Sequence, residues 1–192
     1  MPPKIRVTKE DIMEKAVEIV RKQGMEKLNA RSLANELECS VQPVFRAFSS
    51  MGELKQAVFQ YIADYYQQFL RDSILQEDNL VGLEMAYIRF ASEEKNFFRL
   101  LHMSDRLGLE KTEEFTGVGI NKEIIEAMAE LTGLDRESAT KLYLGAFYTA
   151  HGIASMIATN HCSFQEEEIR DIMDHVFWGL CMKLRGEADE NK

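Results

Sequence analysis

Residues 28–48 read LNARSLANELECSVQPVFRAF. Asn29 and Ser40 are residue types that cap helix N-termini, and each precedes a short run of helix-forming residues. Only a short polar link, Glu38-Cys39, stands between the first run and the second cap. The segment therefore predicts two short helices joined by a tight connection, which is the geometry of a helix-turn-helix.

Pro43 looks incompatible with the second of these helices, because an interior proline removes a hydrogen bond and clashes with the preceding turn. If Ser40 is the N-cap, however, Pro43 falls in the first turn, where backbone N–H groups have no intrahelical partner. We therefore expect this helix to begin at Val41, to within about one residue, and to run through Phe48.

Two helices this short bury too little surface to be stable alone, so they need neighbours. Upstream, Thr8 is an N-cap type with Asp11 three residues later, and apolar residues recur at helical spacing up to Gly24. This pattern predicts a helix over residues 9–23, and a second amphipathic pattern predicts a long helix over residues 51–76. The predicted core of this head consists of Ile12, Ala16, Ile19, Val20, Leu28, Leu33, Ala34, Leu37, Val44, Phe48 and Leu54.

The outward face of the second short helix would display the side chains that could read DNA. Arg46 can pair with guanine and Gln42 with adenine, although a solvated polar face is the plainer alternative. On or beside the same face we place Ser40, Val41, Pro43 and Phe45. The basic residues that could contact phosphate or a groove, rather than serve as ordinary surface charges, are Arg31, Lys4, Arg6, Lys9 and Lys55.

The charge distribution supports DNA contact at one end only. The whole chain has a net charge of −9, which by itself argues against a nucleic-acid partner. Residues 1–55, however, hold ten Lys or Arg against eight acids, whereas the rest of the chain holds 13 basic and 24 acidic residues. A mildly basic head on an acidic body is typical of a protein that brings only its head to phosphate.

The composition indicates an all-α protein with two domains. Only 3 prolines and 11 glycines interrupt long stretches of helix formers in 192 residues, and no segment alternates as a β-strand would. Beyond the long helix we predict helices over residues 79–92, 94–103, 113–132, 136–159 and 165–185, with a frayed acidic tail from Gly186. We expect a helix-turn-helix DNA-binding domain over residues 1–52 and a second, helical domain over residues 53–192.

The cysteines and the apolar segments bear on the compartment. Three cysteines without C-x-x-C spacing, and no apolar segment after Met1, indicate neither a disulfide scaffold nor secretion. The longest apolar runs are far shorter than the ~20 residues that cross a bilayer. We therefore expect a cytoplasmic protein with no membrane partner.

The second domain shows no residue pattern typical of an enzyme or a metal centre. The chain shows no Ser/His/Asp order, no glycine-rich phosphate loop and no signature of paired catalytic acids, so we do not expect an enzyme. His151, His161 and Cys162 lack the fourth ligand and the converging geometry of a metal site, and we expect no cofactor. Methionines and aromatic residues in this domain are mostly core, but some could line a pocket for an apolar or aromatic effector: Tyr87, Phe90, Phe98, Met103, Met128, Tyr143, Phe147 and His151.

The head carries a series of residues at fixed spacing: Thr8, Ile12, Ala16, Gly24-Met25, Leu28-Asn29-Ala30, Leu33-Ala34, Leu37, Ser40, Val44–Phe48, Ser50 and Leu54. Over these 47 residues, without a gap, the sequence resembles the N-terminal signature of the TetR (tetracycline-repressor) family of transcriptional regulators. The resemblance implies a homodimer, usually a repressor, that binds pseudo-palindromic operator DNA and is released by a small-molecule effector. It also implies that residues 53–192 form a helical regulatory domain for effector (ligand) binding and dimerisation.

Four positions depart from that signature. Phe45 stands where the family often has tyrosine, Met51 where it often has lysine, Ala47 where it has an aromatic residue, and Glu38 where it has the glycine of the turn. These changes weaken the grip on phosphate without affecting the fold. They motivate an alternative, in which the head no longer binds DNA and the protein acts as a protein-interaction partner or coactivator.

A second segment, His151-Gly152-Ile153-Ala154-Ser155-Met156-Ile157, resembles a His-Gly stretch in the regulatory domains of one TetR subgroup, although no Trp precedes it here. The resemblance implies that this helix and the last one pair with their copies in a second subunit. The small-residue stripe Ala146, Ala150, Ala154 and Ala158 would let another helix approach closely. The last helix would otherwise expose an apolar patch formed by Ile169, Ile172, Val176, Leu180 and Leu184.

Overall fold

The computed structural model describes residues 7–74, 81–104, 119–160 and 162–190. Within these ranges the secondary structure is helical, with nine α-helices and no strand, which confirms the predicted all-α class. The helices are α1 (Lys9–Gln23), α2 (Ala30–Glu36), α3 (Gln42–Ala47), α4 (Met51–Ile74), α5 (Gly82–Glu93), α6 (Lys95–His102), α7 (Gly119–Thr132), α8 (Arg136–Asn160) and α9 (Glu166–Glu190).

The chain divides into two compact units. The first comprises Met1–Phe69 and Glu94–Ser104, and the second comprises Leu70–Glu93 and Asp105–Lys192. This division differs from the predicted boundary after residue 52, because most of α4 and the whole of α6 pack with the helix-turn-helix head. The sequence pattern of α6 is that of an amphipathic helix and does not say which unit its apolar face joins.

The core of the first unit is the one predicted from the sequence. Ten of the eleven predicted residues are buried, and only Leu37 is half-buried. At the start of α1, Thr8 and Asp11 form a reciprocal capping box, with each side chain accepting a hydrogen bond from the other's backbone N–H. This cap places the apolar stripe of α1 against α2 and α3.

Helix α6 is fixed to α1 by polar contacts as well as by packing. The Arg21 guanidinium donates to the Glu94 carboxylate at 3.0 Å, and the Asn96 amide donates to the Arg21 carbonyl at 2.9 Å. The same guanidinium lies over the rings of Tyr65 and Phe97, at 5.4 and 4.9 Å from their centroids. One arginine on α1 therefore links α4 and α6 within this unit.

The turn between α2 and α3 uses a backbone conformation that favours glycine. Glu38 has φ +49°, in the left-handed region. The Glu38 N–H donates to the Asn35 carbonyl and the Cys39 N–H donates to the Ala34 carbonyl, which is the hydrogen-bond pattern of a Schellman motif. Glutamate thus occupies the position at which such motifs usually have glycine.

Two details predicted from the sequence are wrong. Helix α3 begins at Gln42, and its N-cap is Val41, which makes no side-chain capping hydrogen bond, so Ser40 does not cap it. Pro43 still lies in the first turn, as predicted. The acidic tail is also not frayed at Gly186, because α9 continues to Glu190. Residues 113–118 of the predicted helix over 113–132 lie outside the described residues.

The second unit is built around α8, which packs against α5, α7 and α9. Ala146, Ala150, Ala154 and Ala158 are 0–1% exposed, so the small-residue stripe is covered by helices of the same chain. Arg185 of α9 donates to the Thr132 carbonyl at the end of α7, which satisfies one of the carbonyls left open at a helix C-terminus. Within the described ranges, no helix combines the length and the apolar character that crossing a membrane requires.

Replacing Glu38 with glycine should stabilise the protein. A non-glycine residue in the left-handed region costs about 1–2 kcal/mol, part of which is offset by the extra chain entropy of glycine when unfolded. We expect Glu38→Gly to raise the free energy of unfolding by about 0.5–1 kcal/mol in urea denaturation. Glu38→Gln, which removes the charge but keeps the strain, should change it little; an equal gain in both variants would show that charge rather than backbone strain is relieved.

Candidate functional site

One side of α3 packs into the core of the head, and the other side is exposed. Val44 and Phe48 are 1% and 2% exposed and anchor the helix to the head. On the other side, Val41 and Phe45 are 38% and 49% exposed, and Gln42 is exposed as well. Two apolar anchors thus determine which side of a six-residue helix faces solvent.

Gln42 and Arg46 are four residues apart and therefore lie on the same side of α3. Both are exposed, and neither side chain has a hydrogen-bond or ion-pair partner among the described residues. The amide and the guanidinium are consequently available to an outside ligand. Their donor and acceptor sets are those that pair with adenine and guanine edges in a major groove.

The predicted phosphate contacts that the structure describes differ in exposure. Arg31 is exposed in the first turn of α2, and Lys55 is half-buried on α4. Of the residues assigned to the α3 face, Ser40 is exposed in the turn and Pro43 is half-buried. The Lys9 ammonium instead lies over the ring of Phe48, 4.7 Å from its centroid; Lys4 and Arg6 lie outside the described residues.

At the start of α4, an acidic side chain caps the helix. The Glu53 carboxylate accepts from both the backbone N–H and the hydroxyl of Ser49, at 2.7 and 2.5 Å, and these hydrogen bonds lower the pKa of Glu53. In return the Ser50 hydroxyl accepts from the Glu53 N–H. Glu53 is thus committed to capping α4, and Met51, at the first position of the helix, is half-buried.

In the second unit, four of the predicted effector-contacting residues come together. The Tyr87 hydroxyl lies 2.8 Å from His151 Nδ1, and the ring of Phe147 stacks with those of Tyr143 and His151, with centroids 6.1 and 5.9 Å apart. Burial lowers the pKa of His151, which favours the neutral imidazole. Tyr143, Phe147 and His151 form a row on α8 beside Tyr87 of α5, and we call these three residues the aromatic row.

The other four predicted effector-contacting residues lie elsewhere. Phe90 and Met128 are buried in the second unit, at 0% and 4% exposure. Phe98 is fully buried and packs against His102, and Met103 is 43% exposed; both belong to the first unit. The structure therefore divides the predicted set between the two units.

Sequence reasoning missed Glu84. It lies on α5 in the apolar stretch Leu83-Glu84-Met85-Ala86, is 3% exposed, and neither carboxyl oxygen has a hydrogen-bond partner among the described residues. Burial raises the pKa of Glu84 to about 7. Burial and then the Glu84 charge also raise the pKa of the Tyr143 hydroxyl, which donates to Asn121 Oδ1 at 2.8 Å. A single acid surrounded by apolar residues was the signal available in the sequence.

The described residues thus form a helix-turn-helix head and a larger helical unit with polar and aromatic side chains in its interior. No protein-family model matches the chain, and no curated protein is significantly similar to it. The fold does match solved structures: the crystal structure of a TetR-like transcriptional regulator from Rhodococcus sp. RHA1 superposes with a TM-score of 0.61 at 13% identity, covering 93% of this chain and 96% of that one. The chain therefore has the fold of TetR-like transcriptional regulators.

The raised pKa of Glu84 predicts a pH-dependent stability. Because the pKa is about 7 in the folded protein, against an ordinary value of 4.5 for an exposed glutamate, the folded form holds its proton where the unfolded form loses it. Stability associated with Glu84 is complete below pH 4.5 and is lost as the pH rises to about 7. Above neutral pH, the free energy of unfolding of Glu84→Gln should therefore exceed that of wild type by up to about 3 kcal/mol, as measured by urea denaturation. In acid the two free energies should be equal. If the difference in free energy of unfolding between the variant and wild type does not change with pH, the pKa of Glu84 is not raised by burial.

Proposed function

We propose that this protein is a TetR-type transcriptional regulator, acting in the cytoplasm as a repressor, that binds operator DNA as a homodimer and is released by a small-molecule effector. The observation that carries the proposal is the exposed face of α3, where Gln42 and Arg46 lie outside an anchored core with no partner among the described residues. The likeness to a TetR-like regulator covers nearly the whole chain and supports the same conclusion.

The dimer is supported by a second exposed face, on α8 and α9. Tyr148 and Met156 of α8 are 56% and 43% exposed, and Trp178 and Met182 of α9 are 46% and 71% exposed. We call these four residues the exposed α8–α9 face. They are large apolar or aromatic side chains at helical spacing, which is the composition of a protein interface core. Of the five apolar residues of α9 that the sequence assigned to the dimer contact, Ile169 and Leu184 are buried within the chain, whereas Ile172, Val176 and Leu180 are half-buried.

Two glycines on the same helices fit this interface. An added Cβ at Gly152 or Gly179 would meet no described atom within 4 Å. Glycine inside a helix costs about 1 kcal/mol relative to alanine, and no described neighbour requires it at either position. The close approach of a second copy would account for both, whereas the buried alanine stripe serves packing within the chain.

In the proposed dimer, each α3 enters one of two successive major grooves, about 34–36 Å apart. An effector bound in the second unit would favour a conformation whose two heads no longer match that spacing. The difference in effector affinity between the two conformations would set how strongly DNA is released.

A second candidate function is that of a protein-interaction partner or coactivator without DNA binding. The exposed apolar side chains of Val41 and Phe45 favour it, and so does Met51 at the position where a lysine would reach phosphate. The two functions are separated by a gel-shift experiment at low salt with duplex from the gene's own upstream region, tested for an inverted repeat. A specific shift supports the regulator; no shift of any duplex by an intact helical dimer supports the coactivator.

Arg46 should carry specificity rather than stability. Because its side chain is exposed and makes no contact that the fold needs, Arg46→Ala should leave the melting temperature unchanged but weaken binding to the specific duplex by about 1–3 kcal/mol, measured by fluorescence anisotropy. Arg136→Ala, which removes an exposed arginine from the second unit, is the matched control and should bind normally. Equal losses on specific and random duplex would reduce Arg46 to a phosphate contact.

The protein should form a dimer at micromolar concentration, with the exposed α8–α9 face buried between the two copies. Placing a charge there by Met182→Glu should give monomers in sedimentation velocity and shift the emission of Trp178, the chain's single tryptophan, to longer wavelength as its indole becomes hydrated. Leu131→Glu, at a similarly exposed apolar residue of α7, should remain dimeric. Wild-type protein that sediments as a monomer would refute both the interface and the two-head arrangement.

A further inference from the structure

Burying the carboxyl group of Glu84 is energetically unfavourable, and no hydrogen bond from the described part of the second unit compensates for it. At 3% exposure, with neither oxygen hydrogen-bonded there, it must either hold a proton or carry a buried, unpaired charge. Glutamine or methionine would fill a similar volume on α5 without that charge. Uncompensated ionisable groups are concentrated at functional sites, where a ligand supplies the missing partner.

The surroundings of Glu84 offer flat aromatic surface. Glu84 and Tyr87 are three residues apart on α5 and so share a face. Opposite them, the aromatic row on α8 contributes Tyr143, Phe147 and His151 at four-residue intervals. The Tyr87 ring lies 5.6 Å from that of Phe147 and 6.1 Å from that of His151, and its hydroxyl lies 2.8 Å from His151 Nδ1. The Glu84 charge also contributes to the raised pKa of the Tyr143 hydroxyl.

We propose that Glu84 receives the positive charge of an aromatic amine whose ring packs against Tyr143 and Phe147. This rests on the proposed function, because such an amine would be the effector. An ammonium group supplies the charge-assisted hydrogen bond that the carboxylate lacks, and aromatic faces attract cations in addition. A neutral ligand could donate a hydrogen bond but would leave the charge of the carboxylate uncompensated, and an anion would be repelled by it.

A singly charged organic cation fits better than a metal ion. Protein metal sites use three or four ligands, whereas Glu84 brings a single carboxylate on the same face of α5 as Tyr87, whose ring neighbours are Phe147 and His151. The described residues contain no group of three or more His, Cys, Asp or Glu that could hold a metal ion. The aromatic neighbours also explain why the ligand should carry a ring rather than an alkyl chain alone.

The test uses three probes that share one ring system and differ in charge: 2-naphthylmethylamine, 2-naphthalenemethanol and 2-naphthoic acid. Binding to the full-length wild-type protein is measured by isothermal titration calorimetry above neutral pH, where Glu84 is ionised. We expect the amine to bind at least about tenfold more tightly than the alcohol, and the acid to bind most weakly. Because the amine binds the folded state, it should also raise the melting temperature.

Glu84→Gln should weaken amine binding by about tenfold or more and leave alcohol binding unchanged. This variant removes a buried charge, so it should fold at least as well as wild type, which circular dichroism checks. Glu93→Gln makes the same change at an exposed position at the end of α5 and should bind the amine normally. Equal amine affinity in wild type and Glu84→Gln, tighter binding of the alcohol than of the amine, or no amine binding at millimolar concentration would each overturn the proposal.

The outcome is independent of the DNA-binding assay. If the amine binds through Glu84 but no duplex is shifted at low salt, the site stands and the regulator function fails. If duplex is shifted specifically but amine binding does not depend on Glu84, the regulator function stands and this effector assignment fails.

Discussion

The orientation of α3 depends on the burial of Val44 and Phe48, and the surface that we propose to contact DNA depends on that orientation. A helix of six residues has too few internal hydrogen bonds to be stable alone, so its position comes from Val44 and Phe48 in the core of the head. With those two side chains inside, helical geometry alone places Gln42 and Arg46 outside. A cavity at either anchor would therefore disturb recognition as well as stability, even though neither anchor could touch DNA.

Several polar side chains of the first unit pair with one another, whereas the second unit contains a buried acid without such a partner among the described residues. In the head, the polar side chains that build structure are satisfied: Thr8 and Asp11 cap α1, Glu53 caps α4, and Arg21 bridges to Glu94. In the second unit, Glu84 is buried beside the aromatic row without a hydrogen-bond partner among the described residues. Glu84 is therefore the buried acid whose charge the proposed cationic ligand would pair with.

Local signals in the sequence predicted most of the fold, and long-range packing determined what they missed. The bounds of α1 follow from its capping box and Gly24, and the reading face follows from the spacing of Val44 and Phe48. The assignment of Phe98 to a ligand site did not foresee that α6 packs on α1, and the burial of Glu84 depends on which face of α8 lies opposite it. The Ser40 cap was wrong because the backbone of the turn carries the chain into α3 one residue later.

Photocrosslinking can show whether the exposed face of α3 contacts DNA. A photoreactive phenylalanine analogue, p-benzoylphenylalanine, would replace Phe45 on that face, or Leu131 on α7 as the control, in protein mixed with duplex from the gene's upstream region. We expect DNA crosslinks from position 45 alone, at two sites in the inverted repeat about one helical turn apart. Crosslinks of equal yield from both positions, or none to DNA from position 45, would show that this face does not contact DNA specifically.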